Sequence, residues 1–197
     1  AIALEFLRPP TLPALIHRLK NEQEPIHILH FNGHGAFFQG QVMQGVLAFE
    51  DDQGKADHVT AQELATILKK SGISLVLLTA CESSKSAGDD PFSSVAAQLL
   101  QNGVSAVIAM STMVLSDCTA RYTEIFYRVL STGASAIFAH TCACKALYEN
   151  PGRYLHLRYK NEGEKPVKLY DWWLPHLYQR RLFTLQPIMP VEEELLE

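Results

Sequence analysis

The chain has 197 residues, of which 47% are hydrophobic and 19% are charged, and its net charge is −4 at pH 7. This composition is typical of one compact folded domain and lies far from the low-hydrophobicity, high-charge range of disordered chains. The negative charge, and the absence of a basic cluster beyond the pair Arg180 and Arg181, argue against direct binding of nucleic acid.

The ends of the chain and its apolar runs bear on its location. No stretch approaches the roughly 20 apolar residues of a membrane span, and the start AIALEFLRPP lacks the basic-then-apolar order of a secretion signal. We therefore expect a cytoplasmic protein without a membrane partner. Because the chain lacks an initiating Met and opens directly in an apolar segment, we also expect it to be one domain, residues 1–197, cut from a longer multidomain protein.

The first half of the chain alternates apolar runs with amphipathic segments. The glycine-rich segment NGHG, Asn32 to Gly35, is predicted to be a loop that follows a strand. The predicted elements are a strand over Ile2–Phe6, a helix capped by Thr11 that runs through Leu15 and Leu19, a strand over Ile26–Phe31, a strand over Val46–Phe49, a helix from the capping-box pair Thr60 and Glu63 to about Lys70, and a buried strand over Leu75–Leu78.

The second half continues the alternation. This order of elements predicts an α/β fold with a mainly parallel central sheet, right-handed crossovers and helices on both faces. The predicted elements are a helix from Pro91, capped by Asp90, to about Gln101, a strand over Val104–Met110, a helix capped by Ser116 or Asp117 that ends near Leu130, a helix from Ser135 to about Glu149, and a strand or packed loop formed by YDWWLPHLY.

Two reactive side chains follow predicted strands. His34 comes just after one strand and Cys81 just after another. In an open parallel sheet, functional groups collect where strands end. An imidazole beside a thiol can supply the base or the positive charge that makes the thiol a nucleophile. Taken alone, Cys81 is more typical of a buried structural thiol, but together with NGHG it is interpreted as a nucleophile with His34 as its base.

The glycines around His34 suit this chemistry. Gly33 is expected to allow a sharp turn after the strand, and Gly35 to bring its backbone N–H close to a substrate carbonyl. With the N–H of Cys81, that of Gly35 would form an oxyanion hole, in which each donor is worth about 3 kcal/mol.

The segments ILHFNGHG, residues 28–35, and LVLLTACESS, residues 75–84, resemble those of CHAT domains, a branch of the caspase, separase and gingipain clan of cysteine peptidases. The resemblance extends to LAFEDDQG, GVSAVIAM and YDWWLPHLY and so covers most of the chain. It implies a caspase-like three-layer sandwich, hydrolysis of peptide bonds in a protein substrate through a thioester, and no metal or cofactor. It also implies fusion to a regulatory domain, or control by an activating partner, in bacterial signalling or defence.

The resemblance also suggests how the substrate is selected. Separase-like relatives carry an acidic residue where STMVLSDCTARY stands here, and Asp117 is its only acid. A carboxylate there would pair with Arg or Lys before the cleaved bond. The clan's other acidic position, two residues before the nucleophile, is Thr79. Asp117 is equally well explained as a helix cap, and Glu82 either orients substrate or His34 or is simply solvated.

Three other interpretations apply to parts of this sequence. A nucleotide-binding loop is rejected because Gly33, Gly35 and Gly40 miss the GxGxxG spacing. A metal site at His140 and Cys144 is disfavoured because their helix segment AIFAHTCACKAL is apolar, which favours core packing. A catalytically silent CHAT-like scaffold for protein interaction remains the alternative function.

Overall fold

The computed structural model describes residues 2–21, 25–39, 43–69, 71–79, 91–111, 116–152, 154–159 and 163–185. The helices are α1 (Leu12–Leu19), α2 (Ala61–Leu68), α3 (Pro91–Gln101), α4 (Ser116–Leu130) and α5 (Ala136–Glu149). The strands are β1 (Ile28–Phe31), β2 (His34–Gln39), β3 (Met43–Glu50), β4 (Ala56–Thr60), β5 (Leu75–Leu78), β6 (Ala106–Met110), β7 (Tyr154–Tyr159), β8 (Gly163–Lys168) and β9 (Pro175–Gln179).

The central sheet has the strand order β1-β5-β6-β9. β1, β5 and β6 are parallel, and β9 pairs antiparallel with β6. Every residue of β5 and β6 is buried, as expected for the middle strands of a sheet that is covered on both faces. The predicted mainly parallel sheet is therefore confirmed, and the YDWWLPHLY segment contributes the antiparallel strand β9.

Helices cover both faces of this sheet. Because side chains alternate along a strand, Val76 and Leu78 pack into a cluster with α2 and α3, whereas Leu75 and Leu77 pack into a second cluster with α4 and α5. The fully buried side chains that α4 contributes to the second cluster include Tyr122 and Phe126. Packing on both faces holds the carboxyl ends of β1, β5 and β6 at one edge of the sheet.

Two smaller β units accompany the central sheet. β2, β3 and β4 form an antiparallel sheet, and Leu47, Phe49 and Val59 of this sheet join the cluster with α2 and α3. β7 and β8 form a separate antiparallel pair. The sequence prediction missed β2, β4 and the β7–β8 pair. In β4, for example, only Val59 is buried and three residues are exposed, so its pattern does not resemble that of a core strand.

The helix ends follow the local signals of the sequence. The Thr11 side chain accepts a hydrogen bond from the Ala14 N–H at the start of α1. Thr60 and Glu63 form the reciprocal capping box of α2, and these hydrogen bonds lower the pKa of Glu63. After α2 the chain turns at Gly72 with φ +76°, a conformation that favours glycine.

Two local predictions were wrong. Residues 2–7 form no regular strand, and the side chains of Leu4 and Phe6 are 74% and 72% exposed. An apolar run becomes a strand only when a neighbour satisfies its backbone hydrogen bonds. Helix α4 already begins at Ser116, so Ser116 and Asp117 lie in its first turn rather than at its cap. Within the described part of the chain, every helix is too short or too polar to cross a bilayer.

Candidate functional site

The carboxyl ends of β1 and β5 lie side by side. Phe31, the last residue of β1, pairs with Leu78, the last residue of β5, and the Thr79 N–H donates to the Phe31 carbonyl at 3.0 Å. His34 follows Phe31 by three residues, and Cys81 follows Leu78 by three. The chain therefore leaves the sheet at neighbouring points on its way to the predicted base and the predicted nucleophile. Cys81 and Glu82 themselves lie outside the described residues.

His34 is the first residue of β2 and is exposed. It pairs with Ala48 of β3, which in turn pairs with His58 of β4. Residues directly opposite each other in an antiparallel sheet point to the same face, so His34 and His58 share one face. The prediction that all of NGHG is a loop is therefore wrong for its second half, because strand pairing with β3 already begins at His34.

The two glycines beside His34 have different surroundings. A Cβ at Gly33 would lie 2.9 Å from Cζ of Phe31, so this position favours glycine because the phenyl ring is close. The chain bends at Gly33 between β1 and β2, as predicted, although Gly33 does not have a positive φ. Gly35 is buried in β2 opposite Leu47, and its part in an oxyanion hole stays a prediction.

A polar chain that the sequence prediction did not identify lies directly below the two strand ends. The Nε2 atom of His30 is 2.6 Å from Oγ1 of Thr79, and the hydroxyl of Tyr127 is 3.2 Å from Nδ1 of His30. The hydroxyl of Thr79 also lies 3.5 Å from the Phe31 carbonyl oxygen. These contacts connect α4, β1 and β5.

Two members of this polar chain of side chains could have been recognised from the sequence. His30 and Thr79 are polar residues within or next to apolar strands, where a polar group that is removed from water needs a partner. Their partner Tyr127 comes from a distant helix and has no such signal. The His30 ring contacts Tyr127 of α4, whereas His27 is exposed.

Asp117, the predicted specificity residue, is exposed in the first turn of α4. A negative charge there interacts favourably with the helix dipole. The segment that leads to Asp117 starts at the carboxyl end of β6, the strand next to β5. Asp117 therefore follows the end of β6, the strand beside β5. The next residue in the sequence, Cys118, is buried in the core.

A separate group of polar side chains, Tyr122, His140 and Cys144, packs between α4 and α5. The hydroxyl of Tyr122 is 2.8 Å from Nδ1 of His140, and Sγ of Cys144 is 3.7 Å from Nε2 of the same ring. Burial, with a smaller effect of His176, lowers the pKa of His140 to about 4, and burial raises the pKa of Cys144 to about 11. Among the described residues, no three His, Cys, Asp or Glu side chains are arranged to hold a metal ion.

A cavity of about 560 Å³ lies beside this group, between α5 and the segment before β9. Pro175, which lines the cavity, pairs with Met110 at the carboxyl end of β6. Trp172 and Trp173 also line the cavity. Trp172 contacts Tyr148 edge to face, and the two tryptophans are 40% and 52% exposed.

A family model for the CHAT domain matches residues 7–177. The chain belongs to the CHAT domain family. The match includes β1, β5 and β6 and the first three residues of β9, and so covers most of the central sheet. CHAT domains are generally associated with the caspase-like clan of cysteine peptidases. A comparison with curated proteins gave no match.

Proposed function

We propose that this CHAT domain is a cysteine endopeptidase in which Cys81 is the nucleophile and His34 the base. The supporting observation is the register of β1 and β5, which pairs Phe31 with Leu78. His34 and Cys81 each follow their strand by three residues. The helices on both faces of the parallel sheet are also compatible with a caspase-like three-layer sandwich.

In the first half of the proposed reaction, His34 takes the thiol proton of Cys81, and the resulting thiolate attacks the carbonyl carbon of a peptide bond. The negative oxygen that forms would accept hydrogen bonds from the backbone N–H groups of Gly35 and Cys81. The His34 imidazolium then protonates the leaving amine as the C–N bond breaks, and the acyl group remains on Cys81 as a thioester.

In the second half, neutral His34 takes a proton from water, and the resulting hydroxide adds to the thioester. Collapse of that intermediate breaks the C–S bond, releases the carboxylic acid and restores Cys81 and His34. The scheme uses side chains and water, and it requires no cofactor.

We further propose that cleavage follows Arg or Lys, because the Asp117 carboxylate lies on the segment that leaves the neighbouring strand end. Glu82, beside the nucleophile, would orient the substrate or His34. A regulatory domain or an activating partner would control access to the site. A silent scaffold for protein interaction is the alternative function.

A fluorogenic peptide library that varies the residue before the scissile bond tests this proposal. We expect turnover after Arg or Lys, and we expect Asp117→Asn to lower kcat/KM for these substrates about tenfold or more, since one ion pair is lost. Asp52→Asn is the matched control, because Asp52 is also an exposed acid but lies in the turn before β4.

The possible outcomes separate the two functions. Turnover after Arg or Lys that Asp117→Asn leaves unchanged would contradict the role of Asp117 but not the peptidase assignment. If the complete protein with its activating partner turned over no peptide in the library, the scaffold function would be favoured.

A further inference from the structure

The direction of the hydrogen bonds in the polar chain below the strand ends depends on the tautomer of His30. Burial lowers the pKa of His30 to about 4 and raises the pKa of Tyr127 well above its usual value. Near neutral pH the imidazole is therefore uncharged and the phenol keeps its proton. One ring nitrogen of His30 accepts a hydrogen bond and the other donates one.

The tautomer with a proton on Nε2 lets the Tyr127 hydroxyl act as a donor within the polar chain. The Tyr127 hydroxyl donates to Nδ1 of His30 over 3.2 Å, and the His30 Nε2–H donates to Oγ1 of Thr79 over 2.6 Å. The Thr79 hydroxyl has the Phe31 carbonyl as its acceptor at 3.5 Å. The same carbonyl accepts the Thr79 backbone N–H at 3.0 Å. We assign the histidine tautomer from this network.

The polar chain of side chains runs from Tyr127 on α4 through His30 on β1 to Thr79, the residue that follows β5. Thr79 is 3% exposed, so water cannot readily replace a lost partner of its hydroxyl. Thr79 stands two residues before Cys81, and Phe31 stands three residues before His34. The hydrogen bonds of Thr79 therefore hold the two strand ends that lead to the proposed nucleophile and base.

We propose that Tyr127, His30 and Thr79 are positioning residues, which hold the end of β5 against the end of β1 and thereby set the separation of Cys81 from His34. This inference rests on the proposed peptidase function. It assigns a role to Thr79 other than substrate selection, because its side chain is buried and bonded to His30. A reacting atom misplaced by about 1 Å can cost 100-fold in rate, so small shifts at this edge would have large effects.

The test compares Thr79→Val with Thr79→Ser in the complete protein, using a peptide that the wild type cleaves. Valine keeps the shape of threonine but removes its hydroxyl, whereas serine keeps the hydroxyl. We expect Thr79→Val to lower kcat at least about tenfold and to leave KM within about twofold of the wild-type value, because the chemical step slows while substrate binding is unchanged. Thr79→Ser should retain kcat within about threefold.

Two further variants complete the experiment. Tyr127→Phe removes the hydroxyl at the start of the polar chain, and we expect it to lower kcat by about threefold to tenfold. Combined with Thr79→Val, it should lower kcat little further, because both substitutions act through His30. Thr123→Val is the matched control, because the Thr123 hydroxyl bonds to carbonyls of its own helix α4. It should leave kcat and KM unchanged.

The outcomes distinguish this inference from the proposed function. Loss of turnover in Cys81→Ala, together with wild-type kcat in Thr79→Val, would overturn the positioning role alone. Full turnover in Cys81→Ala would overturn the peptidase dyad. If Thr79→Val does not fold, the kcat of Tyr127→Phe decides, and a wild-type value there would overturn the positioning role.

Discussion

Replacing Cys81 by alanine is expected to abolish peptide turnover, with a fall in kcat/KM of about 10⁴-fold or more. Alanine has no atom that can attack the carbonyl carbon or carry the acyl group. His34→Ala should have an effect of similar size, because the thiol then has no base. Steady-state kinetics with one fluorogenic substrate measure both variants.

A variant that carries both substitutions provides a further test of this prediction. Residues that act as one unit are strongly non-additive, so Cys81→Ala combined with His34→Ala should be no slower than either single variant. His58→Ala is the matched histidine control, because His58 lies on the same face of the β2-β3-β4 sheet as His34. Cys142→Ala is the matched thiol control. A loss of turnover in either control as large as that in Cys81→Ala would contradict the assignment.

The second large effect concerns stability at acid pH. Burial lowers the pKa of both His30 and His140 to about 4, whereas in the unfolded chain an imidazole titrates near its ordinary value of about 6.5. Between these two values, the unfolded chain binds more protons than the folded one. The free energy of unfolding must therefore fall as the pH falls from about 6.5 towards about 4.

The size of the effect follows from the shift. One pKa unit corresponds to about 1.4 kcal/mol, so each of the two histidines should lower the free energy of unfolding by about 2 kcal/mol between pH 7.5 and pH 5.0. Urea unfolding at the two pH values measures this loss. The side chains hydrogen-bonded to these rings, Tyr127 and Thr79 at His30 and Tyr122 and Cys144 at His140, have no ordinary titration between pH 5.0 and pH 7.5. His140 also interacts electrostatically with His176.

His140→Asn tests the contribution of one ring. Asparagine does not titrate, and its side-chain oxygen can accept the hydrogen bond of Tyr122 in place of Nδ1. We expect the loss of stability between pH 7.5 and pH 5.0 to be about 2 kcal/mol smaller than in the wild type. His17→Asn on the exposed face of α1 is the control. An unchanged loss in His140→Asn would contradict the account of that ring.

The sequence predicts those parts of the fold that local chemistry determines. The capping box of Thr60 and Glu63 and the buried runs of β5 and β6 were all visible in the residues themselves. β2 was not, because its first residues belong to a glycine-rich motif that is typical of loops. It becomes a strand because β3 pairs with it along its whole length, and this pairing is not visible in the residues of β2 themselves.

The candidate site, like the fold, could be predicted only in part from the sequence. His34 was found because a glycine-rich motif follows an apolar strand, and it stands three residues after the end of β1, which pairs with the end of β5. The Tyr127–His30–Thr79 chain was missed because Tyr127 is 97 residues from His30 in the sequence. Only the packing of α4 on the sheet brings the two rings together.

The most direct test of the central claim is covalent labelling of the chain by a peptidyl acyloxymethyl ketone with arginine beside the reactive group, followed by mass spectrometry of the digested protein. Cys118 is buried, Cys142 and Cys144 are partly buried, and burial raises the pKa of Cys144 to about 11. We predict one label per chain, on Cys81, and strongly slowed labelling in His34→Ala, because the thiolate is the reactive form. Labelling of Cys81 no faster than that of Cys142, or unaffected by His34→Ala, would contradict the proposed dyad.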